Sequence, residues 1–180
     1  MKNLLLLFLT TFALSCCNKD DNPKPKTELE KLPPATQTGA NTAGCLVNGV
    51  AFLPKGYLVT GNLVCNYIDG KDFVLAINEN INDRIRSIIV TSSNTELHNN
   101  LGITFPLNIM QNNSKYGEYY IYNPDFTQIH YTTTSTINGE LKITYHNFNN
   151  AIISGTFWFD AINSNGEIVK VREGRFDMHY

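Results

Sequence analysis

Four histidines, His98, His130, His146 and His179, are the side chains best suited to hold a metal or move a proton near neutral pH. No two form a His-x-x-x-His pair, and no Cys-x-x-Cys or Asp-x-Asp loop accompanies them, so the spacing predicts no metal site. His146 and His179 both fall on solvent-facing positions of strand-like runs and would meet only if those runs were neighbours. Ser154-Gly155 sits inside a strand-like run, with no Gly-x-Ser-x-Gly elbow and no adjacent base, which argues against a nucleophilic serine. The acidic residues are dispersed among turns and are not paired as glycoside hydrolysis requires. The glycines punctuate hairpins and build no phosphate-cradling loop. A formal charge of −2 without a basic run disfavours a nucleic-acid partner. These features point to a non-enzymatic chain that needs no cofactor.

Contact chemistry is better represented. Tyr116, Tyr119, Tyr120, Tyr122 and Phe126 crowd one segment bounded by Asn- and Asp-rich turns, and aromatic rings with polar tips can stack on sugars or grip an extended peptide. The same rings would also suit a strand that simply packs on its sheet. Trp158 is the only tryptophan, and alternation sends it to the face opposite Phe157 and Phe159. These five residues, Tyr116, Tyr119, Tyr120, Tyr122 and Trp158, are the candidate ligand contacts.

The four cysteines fall into two groups. Cys45 and Cys65 lie in strand-like runs, and in an oxidising compartment a disulfide between them is expected; the alternative is two buried thiols. Cys16 and Cys17 follow a single positive charge at Lys2 and an apolar run from Leu4 to Leu14. That run is too short to span a bilayer, which takes about 20 apolar residues, and it has the order of a secretion signal. Ala13-Leu14-Ser15-Cys16-Cys17 resembles a lipobox, where a diacylated cysteine follows a small residue. Ser15 favours Cys16 as the lipidated residue. The register that lipidates Cys17 places leucine better and would leave Cys45 and Cys65 as an even pair.

The elements that must position these residues follow from composition. Residues 1–15 read as a lipoprotein signal peptide. Residues 16–43, rich in Pro, Lys, Thr, Gln and Asn, bury too little apolar surface to order themselves and read as a flexible tether. Residues 44–180 read as one antiparallel β domain. Asn48-Gly49, Asp69-Gly70, Asn138-Gly139 and Asn165-Gly166 each stand between strand-like runs, and Asn, Asp and Gly accept the positive φ that tight hairpins demand. Phe176, Met178 and Tyr180 alternate with Arg175, Asp177 and His179, which predicts one buried and one wet face. The fold expected is all-β, a sandwich or an up-and-down barrel built from hairpins.

The runs Leu32 to Thr42 and Gly44 to Gly49, with Ile153 to Phe157, Phe159-Asp160-Ala161 and Glu173 to Asp177, resemble a family of small lipoproteins from Flavobacteria and other Bacteroidota, classed as a domain of unknown function. The resemblance implies a β fold and a membrane tether and carries over no catalytic residue. Asn18-Lys19-Asp20-Asp21-Asn22 resembles the acidic signal of surface-displayed lipoproteins in the same bacteria, and it reads equally as a solvated charge cluster. The expected role is therefore a binding or accessory domain, held to the outer membrane by lipid and facing the surface or the periplasm. A barrel-type, lipocalin-like carrier of a small apolar ligand is the alternative and would need an interior cavity of ~300 Å³ or more; a cryptic surface hydrolase is the third reading.

Overall fold

The computed structural model describes residues 24–180, so the signal segment, Cys16, Cys17 and the acidic stretch after them lie outside the described residues. Among the described residues, the helical elements are two single turns of 3-10 helix, at Leu29–Lys31 and Leu97–Asn100, and the rest of the regular structure is strand. The strands are β1 (Thr42–Val47), β2 (Val50–Phe52), β3 (Leu63–Ile68), β4 (Asp72–Ile81), β5 (Arg84–Ser92) and β6 (Thr104–Leu107). They continue as β7 (Lys115–Tyr122), β8 (Gln128–Thr132), β9 (Gly139–Asn147), β10 (Ile152–Ile162) and β11 (Ile168–His179).

All pairings between these strands are antiparallel, and they join into one sheet that forks at β10. Most of β10 pairs with β9, from Ile152 to Phe159, whereas its last residue, Ile162, reaches Thr132 of β8. The sheet folds over at this fork into two facing layers, β2-β1-β11-β10-β9-β6 and β3-β4-β5-β7-β8. Ring contacts across the gap define the layers: Phe73 of β4 meets Phe176 of β11 at 5.5 Å, and Phe52 of β2 meets Tyr119 of β7 edge-on at 6.3 Å. The all-β class is as expected, in the form of one open antiparallel sheet folded over on itself, sandwich- or barrel-like.

Alternation explains the core. Phe73, Leu75 and Ile77 on β4, Ile88 and Val90 on β5, and Leu141 and Ile143 on β9 are wholly buried, as are Ile153, Phe159 and Ala161 on β10. Each such large side chain contributes about 1.5–3 kcal/mol of transfer free energy. The interdigitation is tight. A methyl group placed on Gly117 would lie 2.7 Å from the Phe159 ring, so β7 and β10 approach more closely than any other residue would allow.

The Asn48-Gly49 and Asp69-Gly70 hairpins form as expected, with positive φ at all four residues. The Asn165-Gly166 connection also joins β10 to β11, with Gly166 at φ +83. Asn138-Gly139 is different: β8 pairs with β7 and β9 with β10 and β6, so no hairpin turns there. Gly139 is instead a strand residue opposite Phe159, where a Cβ would stand 2.2 Å from the Trp158 carbonyl oxygen. Close backbone approach, not a turn, requires that glycine.

Two further expectations are corrected. Residues 28–43 are not a free tether. Asp177 is almost fully buried and accepts hydrogen bonds from the Thr36 hydroxyl (2.6 Å), the backbone N–H groups of Thr38 (2.9 Å), Gly39 (2.8 Å) and Ala40 (3.1 Å), and the Ser154 hydroxyl (2.8 Å). Glu28 also accepts from the Ala51 N–H at 2.9 Å, and Leu32 is buried. The expected disulfide is absent, since Cys45 and Cys65 are both free and buried. Cys45 stands on β1 beside Phe52, and Cys65 on β3 beside Leu75, in opposite layers. Packed sheets stand about 10 Å apart, beyond the 4.4–6.8 Å between Cα atoms that a disulfide spans. Burial pushes both thiols up, Cys65 to about 12.

Candidate functional site

Trp158 faces outward from β10, as its alternation predicts, and lies in a groove of about 340 Å³ on the outer face of β6, β9, β10 and β11. Its surroundings are set by a β-bulge. Phe157 pairs with Gly174 and Phe159 with Val171, so Trp158 alone opposes both Arg172 and Glu173. Glu173 takes φ +55, in the left-handed region that costs an L-residue about 1–2 kcal/mol. The extra residue turns both side chains toward the groove, a device common beside functional sites.

The indole is held on two sides. Its Nε1–H donates to Glu140 Oε2 at 3.0 Å, and the Arg172 guanidinium lies over the ring, 5.2 Å from its centre. Arg172 is fixed in turn by Asp160 at 2.7 Å and by the carbonyl oxygens of Phe159 (3.1 Å) and Val171 (2.8 Å). Arg175 meets Glu173 at 3.3 Å, and Lys142 and Thr156 line the same groove with no charged partner of their own among the described residues. The result is a pre-organised aromatic plate with charged and hydroxyl groups around it. That arrangement can bind a polar ligand by stacking and hydrogen bonding.

The tyrosines do not join this groove. Tyr116, Tyr120 and Tyr122 lie on the outer face of the opposite layer, and Tyr119 belongs to the core, packed against Phe52 and Tyr131. Tyr120 stacks on His130 at 4.1 Å and donates to Glu118 at 3.1 Å, while His130 Nε2 meets the same carboxylate at 2.9 Å. Burial, and then Glu118, push the Tyr120 hydroxyl up to about 12. Tyr120, His130 and Glu118 satisfy one another on the sheet surface, and Tyr122 is exposed.

His146 is also not on a wet face, and its neighbour is His98, not His179. The two imidazoles stand 5.7 Å apart, wedged between Phe148, Tyr67 and Tyr180. Tyr67 donates to the Gly70 carbonyl at 2.6 Å and contacts His98 Nδ1 at 2.9 Å; Tyr180 Oη contacts His146 Nε2 at 2.9 Å. Burial, and then the proximity of His98, hold His146 below its ordinary pKa. The cluster clasps β3, β9 and the end of β11 together. Among the described residues no three His, Cys, Asp or Glu side chains converge to hold a metal ion.

The interior that a carrier of apolar ligands would need is filled by Phe52, Phe73 and Phe159 with their aliphatic neighbours. Arg172, Glu140, Lys142 and Arg175 are the groove residues that sequence reasoning missed. The signal available was Arg172-Glu173-Gly174-Arg175, which breaks the two-residue alternation on either side of it.

No helix among the described residues is long and apolar enough to cross a membrane. Searches of curated proteins and of solved structures gave no match. A family model described as a domain of unknown function (DUF6252) matches residues 69–178, from the β3–β4 turn to the end of β11 and including the groove-forming β9, β10 and bulged β11, and the chain belongs to that family.

Proposed function

We propose that this chain is a lipid-anchored outer-membrane protein whose β domain is a non-enzymatic binding module, and that the Trp158 groove is its contact surface. The anchor rests on the apolar run Leu4 to Leu14 and the Ser15-Cys16-Cys17 junction, and on the resemblance to small lipoproteins of the Bacteroidota. The observation that carries the binding role is the strained bulge at Glu173, which brings Arg172 over an outward-facing indole already fixed by Glu140. A stack built at such cost on a solvent-facing surface is hard to account for as packing alone.

Metabolic labelling with a fatty acid tests the anchor. Label is expected on the wild-type chain and lost in Cys16→Ser, or in Cys17→Ser if that register is used; incorporation that survives both single changes and the double change defeats the anchor. An impermeant reagent on intact cells then separates surface display from a periplasmic face. Binding is tested by titrating the full chain with panels of envelope glycans and peptides while following Trp158 emission. Saturable changes that Trp158→Ala removes in a parallel calorimetric assay are expected.

A further inference from the structure

The register across the groove arranges its polar groups in two rows that run perpendicular to the strands. One row is Thr104 on β6, Lys142 on β9, Thr156 on β10 and Arg175 on β11. The next is Pro106, Glu140 and Trp158, ending on the bulge at Arg172 and Glu173. Neighbouring strands are about 4.8 Å apart, so Lys142 and Arg175 flank Thr156 with roughly 10 Å between them. From these rows we infer that the groove takes an anionic saccharide laid across the strands, one sugar ring on Trp158 and its acidic groups on the Lys142–Thr156–Arg175 row.

The charge inventory sets the sign. Glu140 is engaged by the indole N–H, and Arg172 by Asp160 and two carbonyl oxygens. Glu173 and Arg175 meet at 3.3 Å on the rim. Lys142 is exposed and its ammonium has no ion pair among the described residues; the row it shares with Thr156 and Arg175 carries no carboxylate, Glu140 and Glu173 lying in the Trp158 row, so this row presents cations to a ligand. A carboxylate or phosphate supplied by a ligand completes it.

The shape of the groove selects a sugar over a peptide. An extended peptide gains most of its affinity by adding to a free strand edge. The strand at the edge of this groove is β6, where Pro106 offers no N–H and faces the groove side of the sheet. A chain crossing the strands would find no backbone ladder at all. It would find the side of the indole away from Arg172 for the C–H face of a pyranose and two threonine hydroxyls, Thr104 and Thr156, for its ring substituents.

This reading rests on the groove being the binding surface, and the test separates the two. The full chain in detergent is titrated with an oligogalacturonate, its neutral methyl ester, maltoheptaose and poly-glutamate, following both calorimetric heat and Trp158 emission. Oligogalacturonate should bind saturably, at least tenfold more weakly in 0.5 M than in 0.05 M NaCl. Lys142→Gln should weaken it about tenfold and Lys142→Arg should restore most of the loss. An unchanged emission spectrum of the ligand-free variants would show the groove intact. An anionic lipopolysaccharide tested beside the soluble oligomer tells a membrane source from a free polymer, and binding of either anionic form supports the inference. Equal affinity for the neutral ester, or tighter binding of poly-glutamate, overturns the anionic-sugar class and leaves the groove as a binding surface. If no probe of any class binds, the groove reading falls with it.

Discussion

The carboxylate of Asp177, near the end of the last strand, accepts the hydroxyl of Thr36 at 2.6 Å across 141 residues of sequence. With the N–H groups of Thr38, Gly39 and Ala40 on the same carboxylate, this contact makes the segment before β1 part of the folded domain. If the chain is anchored as proposed, the tether ends before Glu28, and the segment after it lies along the domain, with Ala35 lining the groove itself.

Replacing Asp177 should therefore cost more than a surface change. Asp177→Ala leaves several buried donors without an acceptor, and a loss of about 3–4 kcal/mol is expected in denaturant unfolding. Burial alone would raise this acid's pKa. The hydrogen bonds from Thr36, Thr38, Ala40 and Ser154 outweigh burial and hold it well below the carboxylate range. Its stabilisation is thus complete above about pH 4 and is lost only as pH falls through the lowered native value. A variant as stable as wild type at pH 7 would show that the latch carries no energy.

The histidine clasp predicts a separate, milder pH dependence. His146 is held below its ordinary pKa in the folded state, so the unfolded chain takes up the proton first as the medium is acidified. Stability is full above the unfolded value near 6.5, declines as pH drops below it, and levels off once the native pKa is passed. The carboxylates that are held low act only below about pH 4.5, which leaves this window to His146. The melting temperature should fall by a few degrees between pH 7.5 and 5.0, and His146→Gln should flatten the profile.

Cys45 and Cys65 should remain thiols in the native protein. Both are buried and shifted away from the reactive thiolate, so neither should label with a thiol reagent at pH 8 until the chain is denatured. Peptide mapping by mass spectrometry reads each site separately. Recovery of a Cys45–Cys65 linked peptide would contradict the layer assignment.

Glu173 holds a left-handed backbone that glycine adopts without strain. Glu173→Gly should raise stability by roughly 0.5–1 kcal/mol, the relief being partly offset by greater freedom in the unfolded chain. Glu173→Val should lower it by about 1 kcal/mol or more, because a β-branched residue tolerates that conformation worst. The exposed pair with Arg175 contributes little to either result. Equal stability of all three forms would mean that the bulge stores no strain.

Much of the fold was legible in the chain because its determinants are local. Alternation along Ile153 to Ala161 assigns the buried face of β10 and sends Trp158 outward. Asn48-Gly49 and Asp69-Gly70 form hairpins because positive φ is a property of those residues themselves. The same reasoning misread Asn138-Gly139, where the demand on glycine comes from Trp158 and Phe159 on another strand. It also placed Asp177 on a wet face, which is correct by periodicity, yet that face is covered by residues 36–40.

The all-β class, most of the inward and outward faces and the exposure of the single tryptophan follow from side-chain period and turn chemistry over a few residues. Which strands became neighbours was settled by packing across the whole domain. Pairings between residues far apart in the chain set Lys142 and Arg175 on either side of Thr156, put Arg172 over Trp158, parted Cys45 from Cys65 and closed Thr36 onto Asp177. Such contacts arise from register and layer packing, and no local pattern encodes them.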